Sequence, residues 1–127
     1  MSNSVLLVDD NYLARMMLGS IIAETRPDWT VSEAQNAEDA LQRIDANRDG
    51  FDVIFIDVGL PGMNGLELAS KIRENGVTSA LAVVTANIQK PVREKAEALG
   101  AAFIEKPLNA ETLVDFFSKV DKLEEKS

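Results

Sequence analysis

Val53-Ile-Phe-Ile-Asp57 decides the fold: four apolar residues stop abruptly on a carboxylate. A short apolar run with a polar stop reads as a strand buried on both faces. Three other runs share this form. Val5-Leu-Leu-Val8 ends on Asp9 and Asp10, Leu81-Ala-Val-Val84 ends on Thr85, and Ala101-Ala-Phe-Ile104 leads through Glu105 to Lys106. If these strands are parallel, their carboxyl ends lie along one edge of a sheet. Three carboxylates, a hydroxyl and an ammonium then converge in one crevice, a set suited to a divalent cation and a phosphoryl group.

The segments between the runs make the strands parallel. Residues 4–8 read as a strand, and 11–25 as a helix with Leu13, Met17 and Ile21 on one face. Trp29–Ala34 is a weaker strand after the Pro27-Asp28 turn, and 37–46 is a helix with Ala37, Leu41 and Ile44 inward. Asp49-Gly50 marks a turn before the strand at 52–56. Pro61-Gly62 and Asn64-Gly65 punctuate a loop, and Leu66, Ala69 and Ile72 lie on a helix that Asn75-Gly76 ends. The strand at 81–84 precedes a helix near 89–99, closed by Gly100. The strand at 102–104 precedes a last helix, about 109–123, with Leu113, Phe116 or Phe117, Val120 and Leu123 at helical spacing. This (βα)5 order requires right-handed crossovers and a doubly wound five-stranded parallel sheet of the α/β class. A single domain over 1–127 is expected, its core about 4–123, with no output domain. In such sheets ligands bind beyond the carboxyl ends of the strands, where strand order reverses.

Composition excludes several functions. A net charge of −8 argues against a nucleic-acid or anionic-membrane partner. No apolar stretch approaches the length that spans a bilayer, and the N-terminus lacks a basic signal region, so a cytoplasmic location is expected. With no cysteine there is no disulfide or thiolate chemistry, and with no histidine there is no imidazole base and no phosphohistidine within the chain.

Each polar residue alone has an ordinary explanation. Asp9-Asp10-Asn11 precedes a helix and suits an N-cap, Asp57 suits a turn, Thr85 is a common strand residue, and Lys106-Pro107 suits a solvated strand exit. Their joint placement at separate strand ends favours a site. Three close carboxylates repel one another, and a hard dication relieves this. Oxygen-only ligands fit Mg²⁺, with Mn²⁺ as a substitute. A carboxylate can act as nucleophile toward phosphorus, while the Lys106 ammonium and the Thr85 hydroxyl neutralise phosphoryl oxygens and Gly59 lets the main chain approach the metal.

These motifs together resemble those of a response-regulator receiver domain of the stand-alone, chemotaxis type, with the flavodoxin-like/CheY-like fold. The resemblance runs from Leu6-Leu-Val-Asp-Asp10 through Ile56-Asp57-Val-Gly-Leu-Pro-Gly-Met-Asn-Gly65 and Val84-Thr-Ala86 to Glu105-Lys-Pro107, across essentially the whole chain. It implies strand order 2-1-3-4-5, Asp57 as phosphoacceptor, Asp10 as direct Mg²⁺ ligand and Asp9 as the acid acting partly through water. It also implies a Gly59 carbonyl on the metal, Thr85 moving toward the phosphoryl group, Lys106 binding it before a cis bond to Pro107, and Phe103 rotating inward. Gly59 and Asn87 correspond to positions that tune phosphoryl lifetime. Leu60 stands where methionine is commoner. The expected donor is a histidine kinase, and the protein is expected to be a monomer and no enzyme in its own right. The expected readout face holds Ile88, Val92, Phe103, Glu105 and Leu108, and its target is a flagellar switch protein or, in a relay, a histidine phosphotransfer protein. A flavodoxin-type carrier is disfavoured because Asp9 and Asp10 would repel a flavin phosphate. A haloacid-dehalogenase phosphatase would need a second acid where Asn11 and Tyr12 stand.

Overall fold

The structure is a computed structural model that describes residues 3–47, 50–86, 89–106 and 108–125, with the backbone alone for 122–125. Its elements alternate in chain order: β1 (Ser4–Val8), α1 (Tyr12–Thr25), β2 (Thr30–Ala34), α2 (Ala37–Ala46), β3 (Val53–Asp57), α3 (Gly65–Glu74), β4 (Ala80–Thr85), α4 (Lys90–Ala98), β5 (Ala101–Glu105) and α5 (Ala110–Glu125). The strands form one parallel sheet in the order β2-β1-β3-β4-β5. The order reverses between β1 and β3, the strands that deliver Asp9 and Asp57.

The period-two alternation of a strand divides each apolar run between two layers. Leu6, Val8, Ile54, Ile56, Leu81 and Val83 face α2, α3 and α4, meeting Ala40, Leu68, Ala69, Ile72 and Ala96. Val5, Leu7, Val53, Phe55, Ala82 and Val84 face α1 and α5, meeting Ile22, Leu113, Phe116, Phe117 and Val120. Both faces of the central strands are therefore core, which explains why the runs contain no polar residue.

Asparagines start four of the helices. The side chains of Asn11, Asn36, Asn64 and Asn109 accept from the main-chain N–H of Ala14, Asp39, Glu67 and Thr112 at 2.7–3.1 Å. Each satisfies one of the donors that a helix start leaves open. At the start of α4, Gln89 makes no side-chain cap bond.

Two expectations need correction. Leu13 and Met17 do not face inward: they are 57% and 58% exposed, and α1 buries Ile22 with Leu18 and Ile21 beside it. Helix α1 is apolar around most of its circumference, so helical spacing offers more than one stripe and the sheet selects among them. Trp29 does not belong to β2, which begins at Thr30. Its ring instead meets Phe117 edge-on at 5.1 Å.

Candidate acidic site

Asp57 is the last residue of β3 and pairs with Val84, so its side chain emerges where the buried run meets solvent. The next residue is fixed on both sides. Val58 N–H donates to the Val84 carbonyl at 3.0 Å, and Gly65 N–H donates to the Val58 carbonyl at 3.0 Å. Gly65 begins α3 against this turn. A Cβ there would lie 2.8 Å from both the Asp57 carbonyl carbon and the Val58 Cα, so only glycine allows the approach.

Asp9 follows β1. Its N–H donates to the Ala34 carbonyl at 3.1 Å, and its carboxylate accepts from Asn11 N–H at 2.9 Å. Asn11 itself caps α1, so neither Asp9 nor Asp10 is needed for that task. Carboxylate oxygens of Asp9, Asp10 and Asp57 lie within 4.8 Å of one another. Lys106 arrives from the end of β5, with its N–H on the Thr85 carbonyl at 2.9 Å. Its ammonium stands 3.3 Å from Asp9 Oδ2 and 3.4 Å from Asp57 Oδ1.

The electrostatics follow from burial and sharing. Burial is the largest influence on Asp57 and raises its pKa above the ordinary carboxylate value. The Asp9 charge adds to this, and the attraction of Lys106 and the bond from the Gly59 main chain do not offset it. For Lys106, burial opposes the charged form, but Asp57 and then Asp9 outweigh it and raise the pKa. One ammonium serves two carboxylates, with exposed Asp10 beside them. The cluster is short of positive charge, and its donors are all oxygen, a set that fits a hard divalent cation.

The remaining expected residues divide. Thr85 is buried at the end of β4, beside Glu105 in the ladder. A Cβ on Gly59 would stand 3.7 Å from Asp57 Oδ2, so any side chain at this position borders the carboxylate. Phe103 is half-buried, packed against the α2/α3/α4 core layer, with the Arg93 guanidinium 5.7 Å from its ring centroid. Val92 is half-buried, Leu108 packs against the opposite layer, and Glu105 is exposed. Asn87, Ile88 and Pro107 lie outside the described residues. Sequence reasoning passed over Arg15, whose guanidinium donates to the Asp9 carbonyl and pairs with Glu33 at 2.9 Å. Its one signal was a charge inside the apolar stretch Leu13–Leu18.

A doubly wound parallel sheet with carboxylates and an ammonium gathered at its carboxyl edge is the construction of a signalling receiver domain. Residues 5–118 match the family described as response regulator receiver domain, and the chain belongs to that family. It is thus a receiver domain of two-component systems. The chain is 34% identical over 111 residues to a cyclic di-GMP phosphodiesterase of Thermotoga maritima, covering 87% of this chain and 28% of that protein. It is 32% identical over 99 residues to response regulator UvrY of Escherichia coli, covering 78% and 44%. The chain thus spans less than half the length of these curated relatives. Among solved structures, chemotaxis protein CheY4 of Vibrio cholerae superposes with a TM-score of 0.83 at 28% identity, over 94% of this chain and 99% of that one. A CheY-like receiver domain of Methanospirillum hungatei superposes with a TM-score of 0.88 at 25% identity over the whole of both chains. No helix among the described residues is long and apolar enough to cross a membrane.

Proposed function

We propose that the chain is a phosphoacceptor switch in which Asp57 takes a phosphoryl group from a phosphohistidine of a partner kinase. The observation that carries this reading is the position of the Lys106 ammonium, within 3.4 Å of both Asp9 and Asp57 in a cluster of three carboxylates. Asp9, Asp10, Asp57 and the Gly59 main chain would hold Mg²⁺, or Mn²⁺ in its place. When bound, the ion supplies the positive charge that lets an anionic donor approach three acids.

An Asp57 oxygen attacks phosphorus and the P–N bond of the donor breaks, its electron pair returning to the imidazole ring. The products are an aspartyl phosphate here and a free histidine on the kinase. Lys106 stays charged because both acids favour its protonated form, and it pairs with the phosphoryl oxygens as charge leaves the Asp57 carboxylate. Thr85, on the neighbouring strand end, offers its hydroxyl to a further oxygen. Its movement, followed by Phe103, shifts the population of a face built from α4, β5 and α5, including Val92, Glu105 and Leu108. Gly59 offers no side chain of its own to shield the phosphoryl group from water. A downstream protein reads that face in the cytoplasm. The likeness to a chemotaxis protein favours a chemotaxis target.

The test is labelling by a small phosphodonor with Mg²⁺, read as intact mass. Wild type gains one phosphoryl group, while Asp57→Asn gains none and chelation of Mg²⁺ stops the reaction. Stoichiometric labelling of the Asp57→Asn protein would remove Asp57 from this role. Capture of a binding protein only by the beryllofluoride-treated form tests the output face.

A further inference from the structure

We infer that Arg15 is a positioning residue for the acidic turn, fixing the Asp9–Asp10 peptide so that both carboxylates face the cation; this rests on the magnesium reading above. Arg15 sits on α1 with its side chain only 12% exposed, an unusual place for a guanidinium unless its donors are used. They are used in two directions. One arm donates to the Asp9 main-chain carbonyl, and Nε donates to Glu33 Oε1 at 2.9 Å. The Tyr12 ring covers the group, its centroid 5.8 Å from the guanidinium carbon. The side chain therefore ties the β1 exit to β2, a strand that contributes no side chain to the acid cluster.

The bond to the Asp9 carbonyl matters because of what that carbonyl belongs to. Its peptide plane includes the nitrogen of Asp10, so holding the oxygen sets the direction in which Asp10 leaves the strand. The other groups of Asp9 are already committed: N–H to Ala34, Oδ1 to Asn11 and Oδ2 to Lys106. The carbonyl is the remaining point at which the turn can pivot, and Arg15 closes it. Glu33 keeps the guanidinium aimed by accepting from Nε. Residues that orient ligands through such outer contacts typically change metal affinity by about 10–100-fold when removed.

The experiment is a calorimetric Mg²⁺ titration of metal-free protein, wild type against Arg15→Ala, Arg15→Lys and Glu33→Gln. Arg15→Ala should raise the Mg²⁺ dissociation constant about 10–100-fold. Arg15→Lys should move the same way, because one ammonium on a flexible stem cannot replace a planar fork directed at two acceptors. Glu33→Gln, which keeps an acceptor for Nε, should stay close to wild type. Amide exchange at Asp10 and Asn11 in the metal-free protein should quicken in both Arg15 variants. Phosphodonor labelling should need more Mg²⁺ for half its maximal rate yet reach the wild-type plateau, a split that a loss of folding would not produce. If Arg15→Ala misfolds, Arg15→Lys carries the same comparison. Wild-type affinity and exchange in Arg15→Lys would overturn the inference, because charge alone would then suffice. A wild-type protein that binds no Mg²⁺ would instead remove the reading of the site on which the inference rests.

Discussion

Replacing Gly65 by alanine sets two known magnitudes against each other. Alanine in a helix favours folding over glycine by about 0.5–1 kcal/mol, because the unfolded chain has less freedom to lose. Against this, the new methyl carbon would stand 2.8 Å from the Asp57 carbonyl carbon and from Val58 Cα. Both are main-chain atoms at the end of a central strand, so neither can rotate away. Overpacking of this kind costs about 1–3 kcal/mol. The clash wins, with a net loss of about 1–2 kcal/mol. With a urea dependence of about 2 kcal/mol per molar, the midpoint should fall by roughly 0.5–1 M. Fluorescence of the buried Trp29 reports unfolding, and phosphodonor labelling should slow as α3 is pushed from the Asp57 turn. Gly19→Ala is the control. It sits inside α1, its Cβ meets only Leu7 Cδ1 at an ordinary 3.9 Å, and it should raise stability by about 0.5–1 kcal/mol. An unchanged or higher midpoint for Gly65→Ala would refute the argument that backbone proximity reserves this position for glycine.

Two other outcomes are expected. The folded-state pKa of Asp57 lies above its ordinary value, so its ionisation opposes folding as pH rises through that raised pKa, and the cost is absent below the unfolded value. Metal-free Asp57→Asn should therefore have a higher urea midpoint than wild type at neutral pH, with the difference shrinking in acid; equal midpoints at neutral pH would contradict it. Arg26 donates to both Asp121 oxygens at 2.7 and 3.4 Å, and its guanidinium carbon lies 5.0 Å from the Phe117 ring centroid and 5.8 Å from that of Trp29. Arg26→Ala should lose about 1–2 kcal/mol in urea unfolding and Asp121→Asn clearly less, because the ring contacts outweigh a partly exposed ion pair; equal losses would assign the effect to the pair.

The sheet was legible because a parallel strand buried on both faces leaves a mark that local sequence cannot disguise. Val53–Ile56 and Val5–Val8 carry it, and the polar residue that ends each run marks the site edge. The caps were partly legible. Asn11 stood in a row of three candidates, and only the hydrogen bond to Ala14 shows that it spares both aspartates. The buried face of α1 was not legible, since an almost uniformly apolar helix has no preferred side until a sheet covers one. Gly65 read as turn punctuation, whereas its reason is contact with Asp57 and Val58, which local sequence does not encode. Arg15 is the same case: its partners are a carbonyl on β1's exit and a carboxylate on β2, and helical spacing points to neither.

The tips of β1, β3, β4 and β5 each contribute one part of the acidic edge, and Lys106 meets Asp9 across 97 residues of chain. The three carboxylates all come from the first 57 residues, but the ammonium that two of them share follows the last strand. On the phosphoacceptor reading proposed above, competence to take a phosphoryl group therefore arrives only when the last strand has docked and brought Lys106 with it. Maturation and readiness to signal would then be one event.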